Sequence, residues 1–190
     1  MGNTTLLILD IEKGVLDMTG DNEMYLERLS QTLSAARENN IKVIHVITAF
    51  RLGYPESHPS NVSVTGVAAA GLFEEGHPST EIDPAVAPID NEVVITKRRV
   101  SAFFGTELDM ILRCYNTERI AVAGIATSGA VLSTVRQATD LDYKITVLSD
   151  LCKDRDEETH EFLINKIFKR KTNVVTSDEW IQQLQADNLF

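Results

Sequence analysis

An α/β fold, with a mainly parallel sheet covered by helices on both faces, is what this sequence predicts on three observations. Short apolar runs rich in β-branched residues recur along the chain, stretches with helical spacing separate them, and the composition suits one compact domain. The chain has 190 residues, enough for a core that needs no staples. Hydrophobic residues make up 43% and charged residues 24%, beside ten glycines and five prolines, which excludes collagen-like, low-complexity and disordered classes.

Thr4 to Asp10 (T-T-L-L-I-L-D) is an apolar run that ends on an acid, and Ile41 to Thr48 (I-K-V-I-H-V-I-T) is a second β-branched run, so both predict buried strands. Between them Met24, Leu26, Leu29, Leu33 and Ala36 recur at helical spacing and the stretch closes at Asn39-Asn40, which predicts a crossover helix. The second half repeats the alternation. Strands are expected at Glu92 to Thr96, Arg119 to Ile125, Tyr143 to Ser149 and Asn173 to Thr176. Helices are expected at Glu107 to Cys114, Ser128 to Leu141, Glu157 to Phe168 and Asp178 to Ala186. Ala49 to Pro88 breaks the rhythm and holds every proline (Pro55, Pro59, Pro78, Pro84 and Pro88). It reads as a long irregular loop over the carboxyl edge of the sheet, where open α/β folds bind ligands.

Eighteen basic against 28 acidic residues give a net charge of -10, a field that repels polyanions, so no nucleic-acid partner is expected. The local basic run Lys166 to Lys171 lies near Glu158 and Glu161 and reads as a solvated helix end. Cys114 and Cys152 are too few for a disulfide framework and lack metal or redox spacing, which suits a reducing compartment. The first residues show no basic segment leading into an apolar stretch, and no apolar run approaches the roughly 18 residues of a membrane span. A cytoplasmic protein without a membrane partner is the expectation.

Three strand ends carry the candidate chemistry: Asp10 after the first, Lys97 just after the third, and the turn Gly124-Ile125-Ala126-Thr127-Ser128-Gly129-Ala130 after the fourth. In a doubly wound sheet these positions can meet, and an acid facing a lysine forms a polar pair in a partly dry cleft.

The ordered motifs L-L-I-L-D, T-K-R-R-V-S-A-F-F-G-T and G-I-A-T-S-G-A-V-L-S-T resemble the isochorismatase-like hydrolases, the superfamily that also holds nicotinamidases and N-carbamoylsarcosine amidases. The resemblance covers nearly the whole chain. It implies a Rossmann-like three-layer α/β/α sandwich around a six-stranded sheet, assembled as a homodimer or larger homo-oligomer, with no cofactor and a small-molecule substrate. It also implies a catalytic aspartate and lysine at Asp10 and Lys97, and a cysteine nucleophile where this sequence has Ala130. Alanine offers no nucleophile, so an acyl-enzyme at that position is excluded.

Two explanations stand for Ala130: a natural branch without the cysteine, or a deliberate cysteine-to-alanine replacement in an amidase. The branch reading resembles the isochorismatases, where an acid delivers a proton to a vinyl ether and water attacks, with Asp10 as that acid. A catalytically silent binding protein is the third reading. By the same resemblance a non-proline cis peptide joins Ile125 to Ala126, and the amides of Ala126 and Ala130 form an anion-binding nest.

The family often carries glutamine two residues after the aspartate, whereas this chain has Glu12, which could raise the pKa of Asp10 or face solvent. Phe50, Arg51, Tyr54 and Phe103, with its neighbour Phe104, are candidates to stack on or pair with a planar or carboxylated substrate. His58 and His77 stand singly and His45 sits in an apolar strand as a core histidine, so no metal site is expected. Structural roles are expected for Cys114 and Cys152.

Overall fold

A computed structural model describes residues 3–20 and 22–187. Its single sheet holds β1 (Thr4–Leu9), β2 (Lys42–Thr48), β3 (Val93–Lys97), β4 (Arg119–Ile125), β5 (Lys144–Lys153) and β6 (Asn173–Val175). The spatial order is β3-β2-β1-β4-β5-β6 and every pairing is parallel. Strand order reverses between β1 and β4, and in such sheets the crevice outside the carboxyl ends of those two strands receives the ligand.

Side-chain alternation builds the layers. Leu6 and Ile8 of β1 face one core and Leu7 and Leu9 the other, all essentially without solvent exposure. The first core is closed by α2 (Glu23–Glu38) and α7 (Ser177–Asp187), through Leu29, Leu33, Trp180 and Leu184. The second is closed by α4 (Leu108–Cys114), α5 (Leu132–Asp140) and the segment from Leu163 to Phe168, through Leu108, Leu112, Val135 and Phe168. Both faces of the sheet are therefore apolar, which is why its strands read as continuous hydrophobic runs.

The structure corrects several local expectations. The buried face of α2 is Tyr25, Leu29, Thr32, Leu33 and Ala36, while Met24 is 76% exposed. The fifth strand runs on to Lys153, because Leu151 and Cys152 are both buried, with a shift of register opposite Val122 and Gly124. The helix expected over Glu157 to Phe168 divides into α6 (Glu157–Phe162), a π-helical turn (Leu163–Ile167) and a 3-10 turn (Phe168–Arg170).

The long loop is also less irregular than its prolines suggest. A single helical turn, α1 (Lys13–Leu16), precedes α2, and within the loop lies α3 (Val62–Ala70), whose first turn is capped by the Asn61 side chain accepting from the Val64 amide. Prolines cluster at the two ends of the loop and leave the intervening stretch free to coil. Phe50, Val64 and Phe73 form a small core of their own under α3. Gly14 makes that approach possible: a Cβ there would lie 2.7 Å from Ser79 Cβ and 2.8 Å from the Phe73 ring.

Candidate active site

Asp10 leaves β1 with φ at 55°, a left-handed conformation that aspartate tolerates better than most residues, while its amide stays tied to the Val46 carbonyl at 2.8 Å. The turn places its carboxylate against Lys97, with Oδ2 2.8 Å from Nζ. Thr48, at the end of β2, closes the triangle: its hydroxyl donates to Asp10 Oδ1 at 3.1 Å and accepts from Lys97 Nζ at 2.6 Å. Asp10 and Lys97 side chains are 7% and 3% exposed, so the pair is essentially dry. Burial raises the pKa of Asp10, and the Lys97 ammonium and Thr48 hydroxyl only partly pull it back.

Glu12 does not face solvent. It is fully buried, and both of its carboxylate oxygens accept from the Thr48 amide, at 3.2 and 3.0 Å. Burial first, and the neighbouring Asp10 second, hold its pKa well above the usual carboxylate range. Glu12 thus fixes Thr48, and Thr48 fixes the other two.

Across the strand-order reversal, β4 ends at Ile125 and the peptide to Ala126 is cis. Gly124 lets β4 run this close to β1, since a Cβ there would stand 2.4 Å from the Leu9 carbonyl oxygen. The next turn, Thr127–Val131, is π-helical, and the amides of Gly129 and Val131 both donate to the Ala126 carbonyl. Two side chains, one just after β5 and one on α6, brace it. Asp154 accepts from the Ser128 amide at 2.7 Å, and His160 Nδ1 lies 2.8 Å from the hydroxyl of buried Thr127.

Asp10, Thr48, Lys97 and Ala130 line one cavity of about 210 Å³, with an apolar wall that includes Val15, Phe50, Val64 and Phe73. The other expected substrate contacts lie elsewhere. Phe103 is buried in the core against Tyr143, ring centroids 6.1 Å apart, because Ala102 and Ser101 bond Thr134 and Gln137 of α5 and turn the segment inward. Arg51 projects to the surface, paired with Glu56. Tyr54 packs behind Phe50, with its hydroxyl donating to the Leu72 carbonyl at 2.9 Å, outside the cavity lining. Phe104 is 61% exposed.

Neither cysteine sits in the cavity lining. Cys152 lies within β5 and not beyond it, and burial pushes its thiol up to about 12, which leaves no thiolate at neutral pH. Cys114 is exposed at the end of α4.

The Isochorismatase domain model matches residues 4–179 of the chain. This chain belongs to the isochorismatase family. An isochorismatase family protein of Bacillus subtilis is 29% identical over 182 residues, covering 96% of this chain and 94% of that protein. The maleamate amidohydrolase of Pseudomonas putida is 29% identical over 160 residues, covering 84% and 74%. The crystal structure of a cysteine hydrolase from Pseudomonas syringae superposes with a TM-score of 0.86 at 22% identity, over 97% and 93% of the two chains, a likeness of fold.

Sequence reasoning missed several groups around this isochorismatase-family cavity. Thr48 ends a strand as an ordinary β-branched residue, and its two polar contacts arise only when β1, β2 and β3 lie side by side. Asp154 follows β5 only because that strand runs four residues past the expected end at Ser149, so neither it nor His160 on α6 carried a usable signal. His45 is buried, with Nε2 3.3 Å from Glu92, and burial lowers its pKa. His58 and His77 bond turn amides within their own loops. Among the described residues no helix is long and apolar enough to cross a membrane, and no three His, Cys, Asp or Glu side chains cluster as for a metal.

Proposed function

We propose that the chain hydrolyses a small organic molecule by acid–base chemistry at Asp10, with Lys97 as its electrostatic partner and with water, not a side chain, as the nucleophile. The observation that carries this reading is the dry Asp10–Thr48–Lys97 triangle in a cavity where Ala130 contributes only a methyl group. Burial favours the protonated carboxyl, the form that a general acid requires. On an enol ether, the Asp10 proton passes to the vinylic carbon, and water adds to the oxocarbenium carbon and returns a proton to Asp10. The hemiketal then collapses to ketone and alcohol. On an amide, Asp10 takes the proton of the attacking water and delivers it to the leaving nitrogen, while the amides of Ala126 and Ala130 stabilise the oxyanion. Lys97 holds the ionised form of Asp10 in each cycle.

The test is a turnover screen against isochorismate, other vinyl ethers and small amides, with the parent beside Asp10→Asn, Lys97→Ala and Ala130→Cys. Product from the parent, reduced about 10²- to 10⁴-fold in Asp10→Asn, is the expected result. Turnover that appears only with Ala130→Cys, or that survives Asp10→Asn, would overturn the proposal. A parent that binds compounds without converting any of them would overturn it too.

A further inference from the structure

Three consecutive cations, Lys97, Arg98 and Arg99, line the cavity, and the chain neutralises them unequally. Lys97 has Asp10. Arg98 has Glu75 and also Glu56, whose carboxylate lies 3.0 Å from its Nε, and Glu56 is shared with Arg51. Among the described residues Arg99 has only neutral partners: Nη1 donates to the Arg98 carbonyl at 2.6 Å and Nη2 to the Glu56 carbonyl at 3.1 Å. A guanidinium has five N–H donors, so most of its capacity is left over, and no carboxylate among the described residues pairs with it.

Half-buried charge in a largely apolar cavity attracts an opposite charge more strongly than it does in water. The site is also small. A volume of about 210 Å³ corresponds to roughly seven water molecules, below the range for drug-sized ligands.

We infer that Arg99 anchors a single carboxylate on the ligand, so that the cavity selects small monocarboxylates over their neutral amides. The apolar wall of Val15, Phe50, Val64 and Phe73 takes the rest of the molecule. This inference rests on the cavity being the substrate site named above, and it does not require turnover. Arg51 is not this anchor, because it is exposed and its charge is answered by Glu56.

Crotonate and crotonamide, nearly equal in size and shape, separate charge from fit. Calorimetric titration of the parent at pH 7.5 is expected to give crotonate a Kd about tenfold or more below that of crotonamide, the effect of one charge-assisted hydrogen bond. Arg99→Gln should bring the two ligands to equal affinity while leaving crotonamide within about twofold of the parent. Arg99→Lys should keep part of the preference, because it retains charge without the planar fork. If Arg99→Gln fails to fold, Arg99→Lys alone decides, through a selective loss for crotonate. The inference is overturned if the parent binds neither ligand or both equally, or if the variants weaken both together or leave the preference intact. Because binding alone is read, a failed turnover screen leaves this result standing, and a failed titration leaves the hydrolytic reading to its own test.

Discussion

Replacing Lys97 by methionine, a near match in length without charge, strips the counter-ion from Asp10 inside a dry site. The two side chains are 3% and 7% exposed and 2.8 Å apart, so solvent screening does not soften the loss. Removing one partner of a buried pair costs about 3–5 kcal/mol, which for a chain of this size lowers Tm by about 6–20 °C. The penalty should depend on pH. Without Lys97, the folded-state pKa of Asp10 rises further above its unfolded value, and a carboxyl raised on folding costs stability only where the unfolded chain has ionised it. The cost is therefore absent below about pH 4, sets in as pH rises through the unfolded value, and is complete above the folded value. Urea melts at pH 4, 6 and 8 measure it. Asp10→Asn combined with Lys97→Met should recover most of the loss at pH 8, since no charge is then stranded. A Lys97→Met variant that melts within about 1 kcal/mol of the parent at every pH would refute the argument that the pair is buried and mutually dependent.

Glu12→Gln keeps an oxygen for the Thr48 amide and removes a carboxyl whose pKa burial and Asp10 raise. It should be more stable than the parent at pH 8 and converge with it near pH 4 in urea midpoints, because the parent loses stability as pH rises through that group. Gly124→Ala forces a Cβ to within 2.4 Å of the Leu9 carbonyl oxygen and should cost about 1–3 kcal/mol or more in denaturant melts. Phe103→Ala should cost about 3–5 kcal/mol as a core deletion and leave ligand affinity in the folded protein unchanged, whereas Phe50→Ala, in the cavity wall, should alter affinity.

How legible the site was depended on the range of the interactions that make it. Asp10 and Lys97 could be marked in advance because each ends a strand, and parallel strands deliver their carboxyl ends to one edge whatever the loops do. The segment after Lys97 was harder. Phe103 and Arg99 lie four residues apart in the same motif, yet one is buried in the core and the other is among the residues that line the cavity. Hydrogen bonds from Ser101 and Ala102 to α5 make that choice, and their partners lie more than 30 residues away.

The sequence by itself determined the alternation of strands and helices, the two-faced burial of the sheet, and the absence of a thiol at Ala130. Each is a property of residue type or of short-range periodicity. Only the tertiary structure decided that burial outweighs Lys97 at Asp10, that Glu12 is held behind Thr48, and that the partners of Arg99 among the described residues are carbonyls and not carboxylates. Desolvation and charge pairing depend on every group that converges on a point in space, and those groups come from strands and loops distant along the chain.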